Sequence, residues 1–323
     1  MNRKQFVRRA AAAALLAAGL GTGAMAQPWP AKPITMVIPF PPGGTLDVVG
    51  RMLAQKLGQQ LGQTVIVDNR PGGAGTIGAS AVAHAPGDGY TLLFSASTFT
   101  TTPMTQKVAV YDVVKDFAPV ALVAKAPLAI AVNKNLPFND VKGLMEYARA
   151  HPGKLTFAIG STGSAGHLST ELLRRAAKME YLIVPYKGSA PAYQDLVGGN
   201  IDAFIDPILG SSAFAKAGQL KVLAITSKNR VPGQPEMPTV SETVPGYEFY
   251  SWYGLWGPAS LPKEIATRLN AEVNKALGSD MHEKLTPQGL LLTPGSIDDF
   301  ARFQKDDMAL SQRIITEGKI HAE

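Results

Sequence analysis

Two loops of this 323-residue chain collect groups able to grip a small anion. The first, Phe40-Pro41-Pro42-Gly43-Gly44-Thr45-Leu46-Asp47, joins a strand pattern to a helix pattern. Gly43 and Gly44 let a ligand approach the backbone, Thr45 can cap the helix, and the N–H groups of a helix start attract negative charge. Asp47 opposes a bare anion beside it, so it is read as ordering the loop, holding a water, or meeting a ligand hydroxyl or amine. Without a ligand, the same segment reads as a tight turn with an acidic first helical turn. The second loop, Gly160-Ser161-Thr162-Gly163-Ser164-Ala165-Gly166-His167, carries three hydroxyls, three glycines and no acid. Its N–H and O–H donors could wrap a carboxylate, although a plain flexible loop has a similar composition. His167 is either a ligand contact or a residue packed at the helix start.

Other strand ends bring candidates toward the same place. Ser97 and Thr98 follow one strand pattern, Lys187 follows another within Pro185-Tyr186-Lys187-Gly188-Ser189, and Asp206 follows a third. Lys187 is the best-placed cation, with a solvated surface lysine as the alternative. Phe40 and Phe99 are candidates for a wall against a ring. Tyr250, Trp252, Tyr253 and Trp256 would either stack on a ring or pack into the protein.

Catalytic signatures are missing. The chain has no Cys, no Gly-x-Ser-x-Gly elbow and no His-Glu-x-x-His, and its five histidines show no close metal-ligand spacing. A hydrolase built on Ser164 and His167 lacks both the elbow and an acid to orient the histidine. Gly73-Ala74-Gly75-Thr76-Ile77-Gly78 spells a dinucleotide fingerprint, but four residues separate it from the preceding strand and no acid lies near position 93 to hold a ribose. The expectation is a binding protein without catalytic residues, metal or cofactor.

The amino terminus sets the compartment. Arg3, Lys4, Arg8 and Arg9 precede the apolar run from Ala10 to Leu20, and Ala24-Met25-Ala26 closes the segment before Gln27. This is the pattern of a secretory signal peptide, residues 1–26, cleaved after Ala26. The apolar run falls short of the roughly 20 residues needed to span a bilayer. Without those four basic residues the formal charge falls from +6 to +2, which removes the bulk-charge basis for nucleic-acid binding. Hydrophobic content of 46% with 17% charged residues is that of a globular chain. A free, monomeric periplasmic protein is expected.

The elements that must position the loops follow from periodicity. Ile34 to Pro39, Thr64 to Asp68 and Thr91 to Ser95 read as strands, separated by helices over Thr45 to Leu61 and Gly75 to Ala83. Val120 to Val132 is apolar and interrupted by Pro127. Alternation then returns, with helices at Val141 to Ala150, Leu168 to Lys178 and Pro191 to Val197 between strands at Leu155 to Ile159, Tyr181 to Val184, Ile201 to Ile205 and Lys221 to Thr226. Glu248 to Gly257 reads as an extended crossover, followed by helices at Lys263 to Leu277 and Ile297 to Thr316. Two consecutive α/β units predict two lobes, each a mixed β-sheet flanked by helices. With crossings near 124 and 255, lobe 1 comprises 27–124 and 255–323, and lobe 2 comprises 125–254. The cleft between them is the expected ligand site.

A run of ordered motifs carries a resemblance. Trp29-Pro30-Ala31-Lys32-Pro33-Ile34, Pro39-Phe40-Pro41-Pro42-Gly43-Gly44 with Asp47, Asp68-Asn69-Arg70-Pro71-Gly72 and Asp88-Gly89-Tyr90-Thr91-Leu92-Leu93 come first. Asp116-Phe117-Ala118-Pro119-Val120, Pro152-Gly153-Lys154-Leu155, Val184-Pro185-Tyr186-Lys187-Gly188 and Pro238-Thr239-Val240-Ser241-Glu242 follow. In this order they resemble the Bug, or TctC-like, solute receptors of tripartite tricarboxylate transporters, from about residue 29 to the last helix. The resemblance implies a two-lobed, type II-like periplasmic binding protein that closes on a small carboxylate and delivers it to a membrane permease, with the two loops facing each other across the cleft. Thr100-Thr101-Thr102-Pro103-Met104 stands where many relatives have Asn-Pro, and Ile183 replaces a common His. Among members, the chain looks most like receptors for terephthalate, an aromatic dicarboxylate. A carboxylate-sensing module for a signalling partner would use the same cleft.

Overall fold

The computed structural model describes residues 29–321, so the expected signal segment and its cleavage point lie outside the described residues. β1 (Ile34–Ile38) leads into α1 (Thr45–Leu61), whose Leu46, Val49, Leu53 and Leu57 are buried as their helical spacing requires. Gly50 of α1 lies so close to Ile38 and Phe94 that a Cβ there would overlap both side chains. β2 (Val65–Asn69), α2 (Thr76–Ala83) and β3 (Thr91–Ala96) follow, and β1 pairs parallel with both β2 and β3. No apolar periodicity marks α3 (Thr98–Thr105). Its threonines are buried, and the Thr102 hydroxyl returns a 2.8 Å hydrogen bond to Thr98 O.

β4 (Phe117–Asn133) runs 17 residues straight through the proline that reads as an interruption. The following elements are α4 (Val141–Ala150), β5 (Thr156–Ile159), α5 (Ala165–Ala176), β6 (Leu182–Pro185), α6 (Ser189–Gly198), β7 (Ala203–Pro207), α7 (Ile208–Lys216) and β8 (Leu220–Ile225). β9 (Tyr250–Pro258) then returns beside β4, and α8 (Lys263–Leu277), α9 (Asp280–Leu285), β10 (Leu291–Leu292) and α10 (Ile297–Gly318) close the chain. The strands lie in the order β2-β1-β3-β9-β4-β7-β5-β6, with β8 and β10 also on β4.

Pro127 is tolerated because of where it falls. Up to Pro127 β4 pairs antiparallel with β9, and from Leu128 it pairs with β7, so the missing N–H sits at the change of partner opposite the first residue of β9. Pro119 likewise falls at a register shift.

The directions of these ladders place the loops. β3 and β4 are both antiparallel to β9, so β1, β3 and β4 run the same way and the carboxyl ends of β1 and β3 point toward the second half-sheet. β7 is antiparallel to β4, and β5 and β6 follow it, so their carboxyl ends point back toward the first. The last residue of β3, Ala96, is level through Tyr253 with Ala124 of β4, and the last residue of β7, Pro207, is level with Leu128. At the rise of an extended strand, those four residues of β4 span about 13 Å. The two sets of loops therefore face each other.

Thr226 fastens the chain at this crossing. Its hydroxyl accepts from Leu128 N–H at 2.8 Å and donates to Phe249 O at 2.7 Å, and its own N–H and C=O bond to the same two residues. The residue is fully buried. Replacing it by Val strands one backbone donor and one acceptor without changing the side-chain shape. Thr226→Val is expected to cost about 2–4 kcal/mol in urea unfolding, and Thr226→Ser, which keeps both bonds, less than half of that.

Candidate functional site

Gly44, not Thr45, is the N-cap of α1, and no side chain caps it, which corrects the capping role expected of Thr45. The first-turn N–H groups have no intrahelical partner. Gly43 is exposed at φ +94°, and neither it nor Gly44 has another atom within 4 Å of where a Cβ would project. The loop keeps that shape because Asp47, 5% exposed, turns inward. Its Oδ2 accepts from Gly43 N–H at 3.0 Å and Arg51 Nε at 2.9 Å, and its Oδ1 accepts from Asn69 Nδ2 at 3.0 Å. Burial by itself would raise this carboxyl, but the donors from Arg51, Asn69 and Gly43 outweigh it and hold the pKa below the usual carboxylate value. Of the three roles open to Asp47, the structure displays the ordering of the loop. Phe40 is half-buried, its ring against Gly75. The glycines of the dinucleotide-like segment serve such packing: Gly75 has φ +93°, and Gly78 lies against Pro39 and the carbonyl of Arg70.

The second loop is built on different contacts. Ser164 caps α5 by accepting from His167 N–H at 3.2 Å, and Gly163 N–H donates to His167 Nδ1 at 3.2 Å. Burial, helped by the charge of Arg174, pulls His167 down to about 4, so it is neutral at pH 7 and Nδ1 is free to accept. At 8% exposure, His167 organises the loop from beneath. Ser161, Thr162 and Ser164 remain partly accessible. From the other half-sheet, the Thr101 hydroxyl of α3 donates to Gly163 O at 2.6 Å, so the two sides touch here.

The remaining candidates separate. Ser97 and Thr98 are buried, and the Ser97 hydroxyl closes no hydrogen bond. Lys187 is exposed. Asp206, at the end of β7, is half-buried. Its Oδ1 accepts from Ser189 Oγ at 2.9 Å and its Oδ2 from Tyr193 Oη at 3.2 Å. Phe99 does not form a ring wall. It is 2% exposed, stacked on Tyr111 and set against the rings of Phe117 and Trp256.

Tyr253 parts from the other aromatics of its run, a separation that sequence reasoning did not make. Trp252 and Trp256 pack on Phe300 in the core, whereas Tyr253, one residue out of step, lies on the opposite face near Phe94. Its hydroxyl is buried and closes no hydrogen bond, yet it lies within reach of the Thr45 hydroxyl and feels the charge of Asp206. It thus sits between the first loop and the end of β7. Alternation along an extended segment is the signal that could have separated it from the tryptophans. Backbone N–H groups and neutral hydroxyls dominate both edges, which suits an acceptor-rich anion. Among the described residues, no group of His, Cys, Asp and Glu could hold a metal, and no helix is long and apolar enough to cross a membrane.

Comparison with known proteins gives the family. The model of the tripartite tricarboxylate transporter family receptor matches residues 49–320. BugT of Bordetella pertussis (strain Tohama I) is 34% identical over 307 residues, covering 93% of each chain. Among solved structures, an R. palustris protein with adipate is similar at TM-score 0.87 and 38% identity, over 91% of this chain and 99% of that one. MatC from Rhodopseudomonas palustris with bound malate is similar at TM-score 0.81 and 31% identity, over 89% of this chain and all of that one. The chain belongs to the tripartite tricarboxylate transporter receptor family, whose members are periplasmic solute-binding proteins of α/β fold and not enzymes.

Asp47 allows a test of the first loop. Its pKa is depressed in the folded state, so the stability it contributes is present above its unfolded value and is lost as pH falls through the folded one. Asp47→Asn is expected to cost about 1–3 kcal/mol at pH 7. In urea unfolding at a series of pH values, that difference should narrow below about pH 4.

Proposed function

We propose that this receptor captures a small dicarboxylate between the facing strand ends, working in the periplasm once its first 26 residues are removed as a signal peptide. The observation that carries the reading is that two donor-rich loops face each other, released by strand ends whose levels on β4 lie about 13 Å apart. One carboxylate meets the open N–H groups at Gly44 and Thr45, where the helix begins. The other meets the hydroxyls of Ser161, Thr162 and Ser164. Such preorganised neutral donors hold an anion without the desolvation cost of a buried cation. Adipate and malate in the two similar structures support a ligand of this class.

Capture works by closure of the half built on β5, β6 and β7 onto the half built on β1, β2 and β3 about the crossing strands, the ligand favouring the closed state. The Thr101–Gly163 bond is a contact of that closed state. The closed receptor then hands its cargo to the membrane permease of a tripartite transporter. A ring-bearing cargo such as terephthalate keeps the support of Phe40 beside the first loop but has lost Phe99 to the core.

The reading is tested by thermal unfolding with succinate, adipate, malate and terephthalate, and with monocarboxylates as controls. A dicarboxylate that binds the folded state raises the melting temperature in proportion to the logarithm of its concentration. Ser161→Ala is expected to weaken that acid about tenfold, or ~1.4 kcal/mol. An unmoved melting temperature across the whole panel rejects the proposal.

A further inference from the structure

Asp206 is the acid that the loops do not use. Its two oxygens each accept one bond from a neutral hydroxyl, Ser189 and Tyr193, both on α6. From α7, Gly210 comes so close that a Cβ there would stand 2.8 Å from Oδ2. From β9, Tyr253, whose buried hydroxyl has closed no hydrogen bond, lies near enough to feel the charge of Asp206. The groups near Asp206 are thus two tyrosines, a serine and a glycine. Among the described residues no Lys, Arg or His pairs with it. Part of the residue remains accessible at the carboxyl end of β7, the edge that faces the first half-sheet.

A carboxylate in that setting resists a second negative charge. Two ionised carboxylates brought together without a cation repel, and the pair relaxes by taking up a proton. We propose that Asp206 determines which solutes the cleft accepts: an ionised ligand carboxylate enters beside it together with one proton from solvent, which Asp206 carries and donates as a hydrogen bond to the ligand oxygen. The inference rests on the dicarboxylate reading above.

Asp206 is poised for this. Burial pushes its carboxyl up to about 7, against the lowering effect of the bonds from Ser189 and Tyr193. Below that pH the proton is already in place and ligand affinity is flat. Above it, each capture requires uptake of a proton, so affinity falls by up to tenfold per pH unit. His167 does not confuse the reading, because at about 4 it is neutral throughout this range.

Titration calorimetry with adipate, malate and terephthalate over pH 6.5 to 8.5, in buffers of different ionisation enthalpy, counts the protons. The expected result is a roughly tenfold loss of affinity between pH 7.5 and 8.5, with close to one proton taken up per ligand at pH 8.5. Asp206→Asn should abolish both the slope and the uptake. Ser189→Ala removes a donor to the anion and should move the onset to higher pH; with the proton count on the wild type, it carries the test if Asp206→Asn does not fold. Binding that is independent of pH with no proton uptake overturns the role of Asp206 and leaves the dicarboxylate reading standing. If none of the three acids binds at any pH, both fall together.

Discussion

The antiparallel ladder between β4 and β9 is the constraint on which the other features depend. Because β4 is long and carries β9 on its first stretch and β7 on its second, the half-sheets built on it are fixed in opposite directions, and the carboxyl ends of their parallel strands must point at each other. The ligand-facing loops are a consequence of that polarity: each strand releases the chain at the gap, where it turns back as a helix. Thr226, bonded to Leu128 and Phe249, holds the place where β4 exchanges β9 for β7.

Within the gap, charge is used sparingly. Asp47 is consumed by Gly43, Arg51 and Asn69, and His167 by Gly163, so the two titratable residues of the loops act on the backbone beneath them. What they leave facing outward are N–H groups and hydroxyls. Such donors favour an anion, and none needs a counter-ion of its own when the cleft is empty. Asp206 differs, since its partners are neutral hydroxyls that only partly offset its burial.

The aromatic residues are sorted by the pleat of one strand. Trp252 and Trp256 enter the core with Phe300, and Phe99 joins Tyr111, Phe117 and Trp256 there. Tyr253 is left on the other face, between Thr45 and Asp206. A single residue of register thus separates a core anchor from a group at the cleft.

Some of this was written in the sequence, because it is local. The bounds of α1, α4 and α8 coincide with their apolar periodicity, and the two donor-rich loops follow from strand and helix patterns on either side of them. The family, too, was legible in the order of its motifs. By contrast α3 carries no amphipathic stripe, being covered on more than one side, α7 buries only Ile208 and Ser211, and Pro127 is harmless only because β4 changes neighbours there. The fates of Phe99, Tyr253 and Asp206 were decided by partners far away in sequence. Periodicity tells which face of an element is apolar; only the assembled sheet determines which face meets the core, which meets the gap, and which acid is left without a cation.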